Sequence, residues 1–387
     1  MNLKEKDSLY IANTYARFPI VFTKGEGSLV WDDEGKEYID LGTGIAVNTF
    51  GFSDKEWVAA VTGQLGTIQH TSNLYYSAPC VELAEMLCQR TGLKKVFFSN
   101  SGAEANECAI KVARKYAADK KGKDCYKIIT LKNSFHGRTI TTLAATGQDV
   151  FHNDFLPLTD GFLYCEANNS EELTKMVESN NVAAIMFECV QGEGGVLTLT
   201  KEFVKTIFEL AGKYDILTIA DEVQTGNGRT GKLYGFMNYS VLPDVVSTAK
   251  GLGGGLPLGA TMMGEKVENV LKPSDHGSTF GGNPAACAGA VNILSRIDEK
   301  LLDGVNKKSQ YIIEKLSGAK GVKSVSGMGL MLGIETEKDA SDVITECRNN
   351  GVIVIKAKNK VRLLPALNIP DELLSRAVEI IINACKE

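Results

Sequence analysis

Two short apolar runs between residues 216 and 250 constrain this chain most. The first, residues 216–220 (ILTIA), consists largely of β-favouring residues and stops at Asp221; the second, residues 244–248 (DVVST), stops just short of Lys250. Runs of this length and composition read as strands buried on both faces of a parallel sheet. A parallel sheet needs helices on its faces, and strand and helix patterns alternate here from about residue 95 to 265. Further strands are expected at 95–99, 126–131 and 182–190, and helices at 103–117, 170–180 and 200–214. The expected fold class is α/β with a mostly parallel central sheet.

Open α/β sheets bind their ligands beyond the carboxyl ends of the strands. An acid, Asp221, and an amine, Lys250, fall there on neighbouring strands. That pair suits pyridoxal phosphate: the amine bonds to its aldehyde, and the carboxylate keeps its pyridine nitrogen protonated so that the ring accepts electrons. Taken alone, the two residues also read as a helix cap and a solvated lysine. The strand at 95–99, the turn Asn100-Ser101-Gly102 and the helix that follows leave free N–H groups, which make a phosphate site or an ordinary cap. In the loop 134–139 (SFHGRT), Phe135 could stack on a planar cofactor and Arg138 could hold a carboxylate. A core aromatic and a surface charge are the plainer readings.

Composition excludes other classes. The formal charge of -5, with no block of Lys and Arg, makes nucleic acid an unexpected partner and means that an anionic substrate needs locally placed arginines. The longest apolar segments run to about ten residues and contain charges, too short to span a membrane. The start, MNLKEKDSLYIANTY, lacks the apolar core of a secretory signal, so a cytoplasmic protein is expected. Nine cysteines, an odd number without a CxxC pair, read as reduced core residues, and four scattered histidines suggest no metal site. GNGRTGKL (226–233) imitates a P-loop but lacks the following Ser or Thr and opens no helix; residues 251–255 lack the GxGxxG spacing. Residues 28–41 read as a hairpin turning at Asp33-Glu34-Gly35, and the chain beyond 286 reads as an α+β module carrying Arg362. The expected division is a large domain at 46–285 and a small one from 1–45 and 286–387.

NSGAEANE (100–107), SFHGRT (134–139), ECVQGEGG (188–195), ADEVQTGNGRTG (220–231), STAKGLGGGLPLGA (247–260) and GSTFGGNP (277–284) together resemble the class III (ω-type) pyridoxal phosphate aminotransferases, over nearly the whole length. HTSNLYYSAP (70–79), GTGIAVNTFG (42–51) and the modest length are most similar to the N-acetylornithine branch. The Gly-His-x-His-Pro run common in the family is replaced after Gly51 by GFSDKEW. The resemblance implies fold-type I architecture, bound pyridoxal 5'-phosphate, and a homodimer with shared active sites. It implies amino transfer between N2-acetyl-L-ornithine and 2-oxoglutarate. Ornithine, 4-aminobutyrate or succinyldiaminopimelate transaminases and a racemase or aminomutase share the cofactor motifs. By the resemblance, Lys250 is the cofactor-bonding and proton-moving lysine and Asp221 the partner of the pyridine nitrogen. Gln224 meets the ring hydroxyl, and Val223 and Phe135 flank the ring. Ser101, Gly102 and Ala103 hold the phosphate, with Thr279 reaching it from the partner subunit. Arg362 binds the substrate α-carboxylate and Glu193 gates it, Arg138 takes the other end of a dicarboxylate, and Ser278 lies beside the substrate. For Lys250 to act as a base, burial and a nearby cation should depress its pKa.

Overall fold

The computed structural model describes residues 1–386. Seven strands form the central sheet, in the order Lys95–Ser99, Gly259–Met263, Val245–Thr248, Leu217–Asp221, Val182–Phe187, Lys127–Leu131, Phe162–Cys165. All pairs are parallel except those of Gly259–Met263, which runs antiparallel to both neighbours. No crossover helix separates it from Val245–Thr248, and only an antiparallel strand can return through so short a connection.

The apolar runs are explained by burial on both sides. Every residue of Val182–Phe187, Leu217–Asp221 and Val245–Thr248 is buried. Side chains alternate between faces with the period of two of a strand. Ala184, Met186, Leu217 and Ile219 meet Cys108, Val112 and Tyr116 of the helix Gly102–Lys121. Ile185, Phe187 and Ala220 meet Phe203, Ile207 and Leu210 of the helix Lys201–Tyr214 on the other face.

The strand expected at 182–190 is interrupted. It ends at Phe187, and Val190–Gln191 pairs separately with Leu197–Thr198. The helix Leu3–Tyr10 and the strands Phe22–Glu26, Phe162–Cys165 and Val322–Met328 had no counterpart in the sequence reading.

A second, antiparallel sheet follows the order Val322–Met328, Met331–Thr336, Lys360–Leu363, Ile355–Ala357. Near the other chain end, Leu29–Asp32 and Glu37–Asp40 form the expected hairpin, and Asp32 accepts the turn N–H groups of Glu34 and Lys36. Val352–Ile353 adds to this hairpin in parallel. Ile39 and Leu41 thereby share a core with Leu332, Ile334, Val378 and Ile381, distant in sequence. Truncating such a buried Leu or Ile to Ala costs about 2–5 kcal/mol. All nine cysteines are free, and all but Cys80 and Cys88 are buried. Among the described residues no helix is long and apolar enough to cross a membrane.

Candidate active site

A cavity of about 430 Å³ opens at the carboxyl ends of the central strands. Asp221 is the last residue of its strand, in register with Ser247 on the neighbour, and Lys250 follows shortly after that neighbour ends. Lys250 holds a left-handed backbone, φ 44°, a conformation that costs a non-glycine residue about 1–3 kcal/mol and persists only where its surroundings enforce it. They do so here: Asn227 Nδ2 donates to Thr248 Oγ1 and to the Ala249 carbonyl, 3.1 and 3.3 Å away. The Lys250 carbonyl accepts the Gly253 N–H.

Burial lowers the pKa of Lys250, and the cation of Arg362 adds to this against the carboxylates of Glu193, Asp221 and Glu188. The direction is the one a lysine base requires.

Asp221 is buried and accepts three hydrogen bonds. Its Oδ1 accepts the Val223 N–H at 3.0 Å; Asn106 Nδ2 and His136 Nδ1 each stand 2.7 Å from its Oδ2. Burial works against a charged His136, but the hydrogen bond and charge of Asp221, with Glu188 behind, outweigh it and raise the histidine's pKa. Glu188 accepts the Phe135 N–H at 3.0 Å, and burial pushes its pKa up to about 8.

One end of the cavity is the N-terminus of the helix Gly102–Lys121. Ser101 caps it, its Oγ accepting the Glu104 N–H at 3.2 Å. The Gly102 and Ala103 N–H groups have no acceptor among the described residues. A Cβ on Gly102 would lie 2.6 Å from Val223 Cγ1, so only glycine lets this turn close against Val223. Val223 and Phe135 both line the cavity.

Arg362 is buried behind the lining. Its Nη1 donates to Glu193 Oε1 at 2.6 Å and to Gln224 Oε1 at 3.1 Å, and its Nη2 to Glu193 Oε2 at 3.3 Å. Glu193 and Gln224 face the cavity; Arg362 itself does not line it. Burial would raise the Glu193 pKa, but the charge and hydrogen bonds of Arg362 overcome this and hold it below the usual carboxylate range. Arg138 lines the cavity and is exposed. Ser278 stands at one remove, its Oγ accepting from Asn100 Nδ2 at 3.0 Å, and Thr279 is exposed and outside the cavity of its own chain.

Asn106, His136 and Glu188 were missed in the sequence. Glu188 carried a usable signal: it directly follows a wholly apolar strand, much as Asp221 closes its own strand. The loop GTGIAV hid another feature. Thr43, Gly44, Ile45 and Ala46 all have positive φ, a left-handed turn leading to Val47 in the cavity wall. Asp40 accepts the Gly42 and Thr43 N–H groups and Thr43 Oγ1 donates to the Leu364 carbonyl, which together hold that turn.

A family model described as "Aminotransferase class-III" matches residues 10–385. The acetylornithine aminotransferase of Haemophilus ducreyi is 47% identical over 387 residues, covering 100% of this chain and 98% of that protein. The solved N-acetylornithine aminotransferase of Stenotrophomonas maltophilia K279a has a TM-score of 0.86 at 35% identity, covering 99% of this chain and 98% of that one. An ornithine aminotransferase of Toxoplasma gondii, crystallised with partial occupancy of PLP at its active site, has a TM-score of 0.94 at 34% identity, covering 99% of this chain and 93% of that one.

Proposed function

This chain belongs to the class-III aminotransferases, which depend on pyridoxal phosphate, and we propose that it moves an amino group between N2-acetyl-L-ornithine and 2-oxoglutarate, a step in making arginine. The products are N-acetylglutamate 5-semialdehyde and L-glutamate. The observation that carries the chemistry is an amine, Lys250, facing one cavity with a buried, triply hydrogen-bonded carboxylate, Asp221. The acetylornithine aminotransferases among its relatives support the donor.

The cavity suits pyridoxal 5'-phosphate. Two acceptor-free N–H groups, Gly102 and Ala103, sit at a helix N-terminus, where dipole and geometry favour a phosphate. Val223 and Phe135 offer flat apolar contact to a ring. When bound, the cofactor supplies an aldehyde and an electron-accepting ring. Asp221 keeps a proton on the ring nitrogen, and Asn106 and His136 hold its Oδ2 in place for that task. Lys250 Nζ, which must be neutral to act as a base, takes the proton from the substrate carbon that bears nitrogen.

Both substrates carry a carboxylate at the end away from the reacting carbon, and Arg138 at the mouth can serve both. Only the acceptor has a second carboxylate beside the reacting carbon. Arg362 receives it when Glu193 swings aside; with the donor, Glu193 stays paired and spares Arg362 an uncompensated buried charge. Gln224, which accepts from Arg362, turns with that cluster or toward the ring hydroxyl.

The remaining parts of the reading concern assembly. The exposed Thr279 and Phe280 adjoin exposed Leu74, Tyr75 and Tyr76, tied together by Asn73 Nδ2 donating to the Ser278 and Gly281 carbonyls. An apolar surface of this kind supports a homodimer in which Thr279 completes the partner's phosphate site. Residues 46–285 serve as the cofactor domain, residues 1–45 with 286–387 as the small domain, in a cytoplasmic enzyme.

The test is spectroscopic. The cofactor-loaded protein is mixed with N-acetylornithine, ornithine, 4-aminobutyrate and succinyldiaminopimelate in turn, without keto acid. N-acetylornithine should bleach the visible absorbance fastest and 2-oxoglutarate restore it. Faster bleaching by another donor changes the substrate, and no visible absorbance after loading overturns the role of Lys250. Lys250→Ala should lose turnover by at least a factor of 10²–10⁴, the range of a lost general base.

A further inference from the structure

Arg138 makes no ion pair or hydrogen bond through its side chain among the described residues, yet it is not loose. Its guanidinium carbon lies 4.6 Å from the centroid of the Phe151 ring and 5.7 Å from that of Phe135. The two rings meet edge to face at 6.0 Å. Phe151 comes from a short turn, Asp149–Phe151, that follows the helix Ile140–Ala145, whereas Arg138 precedes that helix. The turn is pinned: buried His152 places Nε2 at 2.9 Å from the Leu143 carbonyl and 2.8 Å from the Thr146 carbonyl, and its ring lies beside Tyr164.

The chemistry of this arrangement is selective. A guanidinium binds a ring through its face and a carboxylate through its edge. Contact with the rings therefore orders the side chain without pairing its N–H donors to another group, and those donors stay available for two parallel bonds to a carboxylate. A neighbouring acid would order it equally well but would compete for that edge. Exposed arginines otherwise lose rotamer freedom when they bind, and the rings remove part of that loss beforehand.

We infer that Phe151 is a positioning residue for substrate specificity, holding Arg138 by its cation–π contact so that the unpaired N–H donors capture the carboxylate far from the reacting carbon. This rests on the reading of Arg138 given above. Phe151 needs no contact with substrate, cofactor or reacting atoms.

The experiment compares Phe151→Leu, Phe151→Tyr and Arg138→Leu in the cofactor-loaded enzyme. Two readouts are used: KM for 2-oxoglutarate against KM for 2-oxopentanoate, which has the same chain without the far carboxylate, and the Kd of glutarate by calorimetry. Phe151→Leu should raise the glutarate Kd and the 2-oxoglutarate KM roughly two- to fivefold, the range of an exposed cation–π contact. It should leave kcat and the 2-oxopentanoate KM unchanged, and Phe151→Tyr should restore wild-type values. Weaker glutarate binding in Arg138→Leu with none in Phe151→Leu leaves Arg138 its role and overturns the inference. No change in Arg138→Leu overturns the reading of Arg138 and this inference with it. Equal losses for both keto acids in Phe151→Leu assign the ring to general packing and also overturn it.

Discussion

Two arginines stand at this cavity, one in its lining and one behind it, and they are held by opposite devices. Arg362 is buried, and an acid and an amide occupy its donor edge. Arg138 is exposed and held against two aromatic rings, its N–H donors unpaired among the described residues. The difference follows from burial. A guanidinium removed from water needs its charge and donors matched, so whatever matches them must move before a substrate can bind. A guanidinium at the surface keeps water as its default partner, and contact with an aromatic ring is enough to orient it. On the proposed reading the inner site opens or shuts with Glu193, whereas the outer site stays open. An enzyme whose two substrates differ in having a carboxylate beside the reacting carbon, but not in having one far from it, needs one site of each kind.

Removing Arg362 should break the contrast most severely. Arg362→Leu strips a charge from a buried pair and should lower kcat/KM for 2-oxoglutarate on the order of a hundredfold, as such truncations cost about 2–5 kcal/mol. Steady-state kinetics should show the N-acetylornithine half-reaction much less affected. Equal losses in both half-reactions would make Arg362 structural rather than selective.

Glu193→Gln sharpens the contrast by removing the competitor. The acceptor should gain affinity and the donor lose it, each by about tenfold, the scale of a hydrogen bond to a charged group. Single-turnover experiments with each substrate would measure the opposite signs, and a change of one sign for both would remove the gate. The two- to fivefold effect expected of Phe151→Leu is smaller, since an exposed contact carries less.

The last expectation is a displacement in pH. Lys250 must be neutral to act, and burial followed by the Arg362 cation lowers its pKa while Glu193 and Asp221 raise it. Arg362→Leu removes a cation, so the pKa of Lys250 rises and the ascending limb of kcat moves to higher pH. Glu193→Gln removes a carboxylate and moves that limb lower. Phe151→Leu should leave it in place. A shift in the reverse direction would mean that the free lysine is not the base.

Much of the site could be read from residue order because each part is local. Asp221 and Lys250 stand at the ends of apolar strands, and Ser101 and Gly102 stand where a strand turns into a helix. Glu188 obeyed the same rule and was overlooked because the apolar run continues through Cys189 and Val190, concealing the break after Phe187. His136 gave no such sign. It lies in a loop between Phe135 and Arg138, and only the packing of that loop against the strand ends puts its Nδ1 beside Asp221. Phe151 was likewise one more aromatic in an irregular segment until the helix Ile140–Ala145 and the anchoring of His152 brought it over Arg138.

Residue order settled the sheet-and-helix alternation, the strand ends that carry the acid and the amine, and the turn that opens the helix Gly102–Lys121. These depend on periodicity and on neighbours within a few positions. Tertiary structure decided the antiparallel Gly259–Met263 strand, the left-handed turn at Thr43–Ala46, and both arginine sites. Arg362 meets Glu193 across 169 positions of sequence because Lys360–Leu363 pairs with Met331–Thr336 in a separate sheet. Such contacts arise from how independently formed layers close on one another, and no local pattern encodes the distance between them.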